Sequence, residues 1–319
     1  MWGYRLEAPR RVERVDLPED VHLDDGEVRL RLRVAGICGS DMPRFTGRVG
    51  QHLPYFDHGS APVHEVVGTV VETRSPLYAT GDRVVGTLGP SAGLAEYVVV
   101  HESRIAAVPP DLDDLEAIVV QPLSTVLRAV TRQLPDVSGR SAAVLGAGPC
   151  GLAFCHVLRT HGAERIVAVD PVERSETATA FGADELVATT AAAWQAGLTP
   201  SSRPDLVVEA VGHQQATIAD ALRAVADRGF VFGFGAPDDA DYAIPYLEIY
   251  LRDLTLASGR TIDDWPELLA AGARYLEAHR SDFASYVSHV VAPEDAQRAY
   301  DLYAVPQPGR LKVVIATQA

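Results

Sequence analysis

The chain has 319 residues, 47% of them hydrophobic and 22% charged, with a formal net charge of −15. That length accommodates two domains, each with its own core, and the acidic balance argues against nucleic acid or an anionic membrane surface as a partner. No apolar run approaches a membrane span, and no basic, apolar, small-residue leader precedes the first predicted strand, so no secretory signal is expected. Lys312 is the only lysine; the abundance of arginine and alanine suggests a GC-rich bacterial genome. The three cysteines, Cys38, Cys150 and Cys155, cannot build a disulfide framework and fit a reducing, bacterial cytoplasm. They also exclude a four-cysteine zinc site within one chain.

The first hundred residues read as short strands. Residues 28–34 alternate apolar and charged side chains, the pattern of a strand with one buried face. Residues 66–71, 83–85 and 97–100 are further strand-like runs, with Gly81-Asp82 marking a turn. The texture predicts a β-rich, barrel-like domain, with residues 55–62, including Asp57, His58 and Gly59, as a loop over a site. Within it lie two short glycine-flanked segments, Gly36-Ile37-Cys38-Gly39-Ser40-Asp41 and Val63-His64-Glu65-Val66-Val67-Gly68. Thiolate, imidazole and carboxylate from Cys38, His64 and Glu65 suit zinc, and three protein ligands leave a position open for water or substrate.

From about residue 115 helix and strand alternate. Residues 117–132 have helical apolar spacing, with Pro122 early in the run; 142–145 form a short buried strand; 150–161 form a helix. Residues 166–169, 206–208 and 230–232 are further buried strands. Buried apolar strands separated by amphipathic helices predict an α/β domain with a doubly wound parallel sheet. Residues 309–315 read as a last strand that returns the chain to the first domain.

Gly146-Ala147-Gly148-Pro149-Cys150-Gly151 matches G-x-G-x-x-G between a buried strand and a helix. The first glycine permits the turn, the second admits a pyrophosphate, the third lets helix and strand pack, and the helix N-terminus favours the anion. Asp170 ends the next strand, where a carboxylate accepts from the two adenosine ribose hydroxyls and repels a 2′-phosphate, so NAD is preferred over NADP. Arg174, four residues on, could hold a 2′-phosphate and pulls the other way. The turns Glu209-Ala210-Val211-Gly212 and Phe232-Gly233-Phe234-Gly235 follow predicted strands at the same sheet edge, where such folds bind ligands; their glycines could equally be plain turn residues. Val211, Gly212, Phe234 and Gly235 join the cofactor-binding candidates.

Together with Gly81-Asp82-Arg83-Val84, Ala95-Glu96-Tyr97-Val98, Gln121-Pro122-Leu123 and Lys312-Val313-Val314, these motifs run in family order along nearly the whole chain. The chain resembles the zinc-dependent medium-chain dehydrogenases, the alcohol and polyol dehydrogenase family. The resemblance implies a GroES-like catalytic domain (residues 1–125 and 279–319), a Rossmann domain (126–278) and an active-site cleft between them. It implies that Cys38 and His64 bind a catalytic zinc, with Glu65 a ligand or exchanging with water. Ser40 would take the alcohol proton and Asp41 orient the histidine, although both could serve as turn or capping residues. It implies an NAD-dependent oxidoreductase acting on a secondary alcohol of polyol, sugar or cyclitol type, and a cytoplasmic homodimer or homotetramer. Pocket residues would include those around Met42, Arg44, Phe45, Tyr55 and His58. Residues 232–244 and 251–256 could be interface strands or internal ones.

Three departures qualify the resemblance. The lobe that carries a second, structural zinc in the family is missing between Gly86 and Ala95. The acidic ligand of the family's Glu-Pro-Leu motif is here Gln121, either a neutral zinc ligand, a substrate contact or a helix-cap residue. Pro43 stands where many relatives place a relay histidine. The alternatives are a zinc-free reductase of the same superfamily, and a non-enzymatic NAD-binding sensor.

Overall fold

The computed structural model describes residues 1–48, 60–89, 93–259 and 262–317. It divides into two compact units, one of Met1–Ser124, Ile262–Pro306 and Arg310–Ala319, the other of Thr125–Thr261 and Gln307–Gly309.

In chain order the first unit supplies β1 (Trp2–Ala8), β2 (Arg11–Asp16), β3 (Glu27–Gly36), β4 (Glu65–Thr73), β5 (Arg83–Thr87), β6 (Tyr97–His101) and β7 (Ile105–Ala107). The second supplies β8 (Ser141–Leu145), β9 (Arg165–Val169), β10 (Glu185–Val187), β11 (Leu206–Glu209), β12 (Phe230–Gly233) and β13 (Thr255–Ser258). The chain then returns to the first unit with β14 (Val287–Val291) and β15 (Lys312–Ala316).

In the first unit β1 and β2 form a hairpin. Among the described residues the larger sheet runs β14-β15-β3-β4-β5-β7, with β6 paired to β3. The alternation in β3 does what it predicts: Val28, Leu30, Leu32 and Val34 are buried, while Arg31 is exposed and Arg29 lies over the Tyr97 ring. The important consequence is register. Gly36 lies opposite Glu65 of β4 on one side and Val314 of β15 on the other. The end of β3, the start of β4 and the middle of β15 therefore meet just before Cys38.

The helix Trp265–Ala278 also belongs to this unit, whereas the family resemblance implies a dinucleotide domain that includes residues 262–278. Its buried face, Leu268, Leu269, Gly272, Ala273 and Leu276, packs against β5 and β7, and Gly272 leaves room for Ser124. Helical periodicity marks an apolar face but not which sheet covers it.

The second unit is a parallel sheet of order β10-β9-β8-β11-β12-β13. This is a doubly wound order, reversing direction between β8 and β11. The helix Pro149–Thr160 follows β8 and buries nine of its twelve residues, which accounts for its near-continuous apolar sequence. Residues 232–244 do not form the long strand considered above: β12 stops at Gly233, and a helix follows at Tyr246–Leu251. The predicted helix over 117–132 is divided into Asp114–Ala117, Val120–Arg128 and a wide π-type turn at Ala129–Gln133.

Candidate active site

Cys38 follows β3 directly, and His64 precedes β4. Their approach is a result of the β3–β4 register. The ligand atoms of Cys38, His64 and Glu65 all lie within 4.8 Å of one another. Asp41 joins the two segments: Oδ2 accepts from the Cys38 N–H at 2.9 Å, and Oδ1 bonds His64 Nδ1 at 2.9 Å. With Nδ1 held this way, Nε2 is the imidazole atom left to a metal. Desolvation alone would lower the His64 pKa. The Asp41 carboxylate, through charge and hydrogen bond, and the Cys38 side chain outweigh it and hold the imidazole well above its ordinary value. Soft thiolate, oriented imidazole and carboxylate in one cluster fit a zinc ion.

Glu65 is fully buried, and its carboxylate forms an ion pair with Lys312 at the start of β15. Both side chains are at most 2% exposed. Gly36 makes the pair possible. A Cβ there would stand 2.5 Å from Glu65 Oε2 and 2.9 Å from Lys312 Cε. Ser40 is half-buried at the mouth of the 38–41 turn, and Gln121 is 4% exposed in the helix Val120–Arg128. Arg44 is buried near Asp41 and Tyr300, and burial lowers its pKa. Phe45 is not a pocket residue: it is fully buried and stacks on Tyr300 at 5.1 Å between centroids. Tyr55, Asp57, His58 and Gly59 lie outside the described residues.

In the second unit the loop after β8 has the predicted form. Gly146 sits at φ +90°, Gly148 is the N-cap of the helix Pro149–Thr160 and Pro149 opens it. A Cβ on Gly151 would collide with the Gly146 carbonyl oxygen, so only glycine lets helix and strand pack there. Cys150 is half-exposed in the first turn. Asp170, just beyond β9, accepts from Ala147 N–H and Val172 N–H, each at 2.8 Å. Arg174 is buried, and its Nη1 donates to the Ala147 carbonyl at 3.3 Å. Val211 and Gly212 form the turn after β11, Phe234 and Gly235 the turn after β12. Phe234 meets Phe154 edge-to-face at 4.8 Å.

Two family models match the chain: the alcohol dehydrogenase GroES-like domain over residues 24–110 and the zinc-binding dehydrogenase model over residues 149–274. The L-threonine 3-dehydrogenase of Bacillus velezensis is 26% identical over 92% of both chains. The (R,R)-butanediol dehydrogenase of Bacillus subtilis is 31% identical over 54% of this chain and 58% of that protein. An alcohol dehydrogenase from Thermus sp. ATN1 superposes with a TM-score of 0.85 at 27% identity, covering both chains fully. The chain is a zinc-type medium-chain dehydrogenase.

This dehydrogenase is therefore an oxidoreductase of the alcohol and polyol type, with a GroES-like unit and a Rossmann unit. Its family implies a zinc and a nicotinamide cofactor. Among the described residues no helix is long and apolar enough to cross a membrane. The Lys312-Val313-Val314 motif by itself does not reveal the pairing of Lys312 with Glu65. The available signal was composition: one lysine in a chain whose other cations are arginines. Nor does the Glu209-Ala210-Val211-Gly212 turn motif reveal that the Glu209 side chain is buried at the carboxyl end of β11.

Proposed function

We propose that this dehydrogenase carries one catalytic zinc per chain, uses NAD(H) rather than NADP(H), and interconverts a secondary alcohol of polyol, sugar or cyclitol type with its ketone. The observation that carries the reading is the Cys38–His64–Glu65 cluster with Asp41 bonded to His64 Nδ1. Cys38 and His64 would hold the ion, with Glu65 a further ligand or exchanging with water and Gln121 a candidate neutral donor. Bound zinc supplies Lewis acidity that lowers the pKa of a substrate hydroxyl. Asp41 keeps the imidazole in the tautomer that presents Nε2, and Lys312 pairs with the Glu65 carboxylate and fixes its place. Ser40 would accept the substrate proton. The Rossmann unit binds the hydride acceptor, its pyrophosphate on the Gly146–Gly151 loop.

NAD is favoured because Asp170 stands where a 2′-phosphate would be repelled. Arg174, the one residue that argued otherwise, has Nη1 engaged with the Ala147 carbonyl. The secondary-alcohol class is supported by the relatives' names, since threonine and butanediol each carry a secondary hydroxyl. A cytoplasmic homodimer or homotetramer completes the proposal, consistent with the exposed apolar helix Tyr246–Leu251.

The test is elemental analysis of protein purified without chelator. The expected result is about one zinc per chain, lost together with turnover in Cys38→Ser, while NADH binding persists. A wild-type protein that takes up no zinc on dialysis against it would overturn the metal assignment. Asp170→Ala should relax selectivity toward NADP; an unchanged cofactor ratio would reject the role given to Asp170.

A further inference from the structure

We propose that Glu209 is a positioning residue for the nicotinamide half of the dinucleotide; the proposal rests on the dinucleotide reading above. Glu209 ends β11 and is 1% exposed, so its carboxylate needs donors to offset desolvation. Oε1 accepts three hydrogen bonds, from Val211 N–H at 3.0 Å, Gly212 N–H at 2.8 Å and Thr217 Oγ1 at 2.8 Å. Its main-chain carbonyl accepts two more, from Phe234 N–H at 2.9 Å and Gly235 N–H at 3.0 Å. One residue thus holds the turns after β11 and β12.

The glycines show how closely those turns are joined. Gly212, at φ +68°, lies against the 235–236 backbone, where a Cβ would stand 2.8 Å from Ala236 N. A Cβ on Gly235 would collide with Gly212 N and reach within 2.8 Å of Glu209 Oε2. Gly146, in the fingerprint loop, would bring a Cβ to 2.9 Å from Val211 Cγ2. The turns at the carboxyl ends of β8, β11 and β12 are one packed body with Glu209 inside it. A plain helix-capping role does not account for this. Only Thr217, of the five donors, lies in the helix Ala216–Ala224.

Strand order supplies the direction. A dinucleotide crosses the carboxyl ends of the strands where the order reverses, here between β8 and β11. Its pyrophosphate rests on the loop after β8, and its adenosine ribose faces Asp170 at the end of β9. The remaining half must extend the other way, over β11 and β12. Glu209 therefore shapes the floor under the nicotinamide riboside and leaves the adenosine half to Asp170.

This predicts a split between two ligands, measured on the zinc-loaded full chain by NADH fluorescence and by calorimetry with ADP. Glu209→Ala should weaken NADH by about tenfold or more, since several hydrogen bonds of about 1 kcal/mol each are lost, and leave ADP within about twofold. Glu209→Gln keeps an acceptor oxygen and should bind NADH within about threefold of wild type. Equal weakening of NADH and ADP, or NADH binding unchanged in Glu209→Ala, would overturn the proposal. A measurement on wild type guards against a variant that fails to fold: the Val211 and Gly212 amides should exchange slowly without cofactor. Fast exchange there means that the turn is not pre-formed and overturns the proposal as well. A wild-type chain that binds neither NADH nor ADP removes the dinucleotide site itself, and Glu209 falls with it.

Discussion

Lys312 illustrates how much a single side chain can carry here. Its ammonium is the counter-ion of a carboxylate next to a proposed metal ligand, and both groups are out of water. Removing one member of such a pair leaves an uncompensated buried charge. Lys312→Met should cost about 3–5 kcal/mol in urea unfolding, and adding Glu65→Gln should recover most of it. An additive or larger loss in the double variant would show that the pair is not coupled. Gly36 leaves the space that the pair occupies: a Cβ there would lie 2.9 Å from Lys312 Cε. The cysteines offer a second residue-scale prediction. Burial pushes the Cys155 thiol up to about 12, so it should resist iodoacetamide at pH 8 in the folded protein. Half-exposed Cys38 and Cys150 should react in metal-free, cofactor-free protein, with zinc protecting Cys38 and NADH protecting Cys150. Peptide mapping reads all three, and protection of Cys38 by NADH alone would contradict the assignment. Cys38, His64 and the glycine fingerprint are legible in sequence because their chemistry is type-specific and local. The Lys312–Glu65 and Glu209 contacts are not, because strand pairing and turn packing create them.

At the scale of elements, the sheet of the second unit is pinned at its entry as well as at its ligand-binding edge. Asp205 Oδ2 accepts from Ser141 N–H at 2.9 Å and Ser141 Oγ at 2.7 Å, and Asp205 N–H donates back to Ser141 Oγ at 3.1 Å. These bonds tie the starts of β8 and β11. Desolvation would raise the Asp205 pKa, but the Ser141 bonds outweigh it and hold the carboxyl below its usual value. A depressed carboxylate pKa contributes stability above its unfolded value, near 3.9, and loses it as pH falls through the folded value. Asp205→Ala should therefore cost about 1–3 kcal/mol at pH 7, with the gap to wild type closing below about pH 4. A gap independent of pH would mean that the effect is packing rather than charge. The buried strands of this sheet are legible from their apolar runs. The short edge strands β10 and β13, and the β1–β2 hairpin, lack such runs because they are half-exposed and borrow their order from neighbours.

For the molecule as a whole, the helix Tyr246–Leu251 presents Tyr246, Leu247, Tyr250 and Leu251 at 66–71% exposure and leads in sequence into β13, the edge strand of the parallel sheet among the described residues. Four large apolar side chains so exposed on one six-residue helix are costly for a monomer. Leu247→Asp with Tyr250→Glu should shift the proposed homodimer to monomer in sedimentation velocity, with the folding of each unit intact. A wild-type chain that sediments as monomer would refute the assembly. What the linear chain determines by itself is the family, the two-domain α/β plan and the chemistry of the candidate ligands, since residue type, hydrophobic period and glycine spacing are properties of short segments. Only tertiary structure decides that the helix at 265–278 joins the first unit and that the lone lysine closes on Glu65. It alone puts the carboxylate of Glu209 inside three converging turns. Each of these depends on which distant surfaces meet, and that is set by strand order and register rather than by any window of sequence.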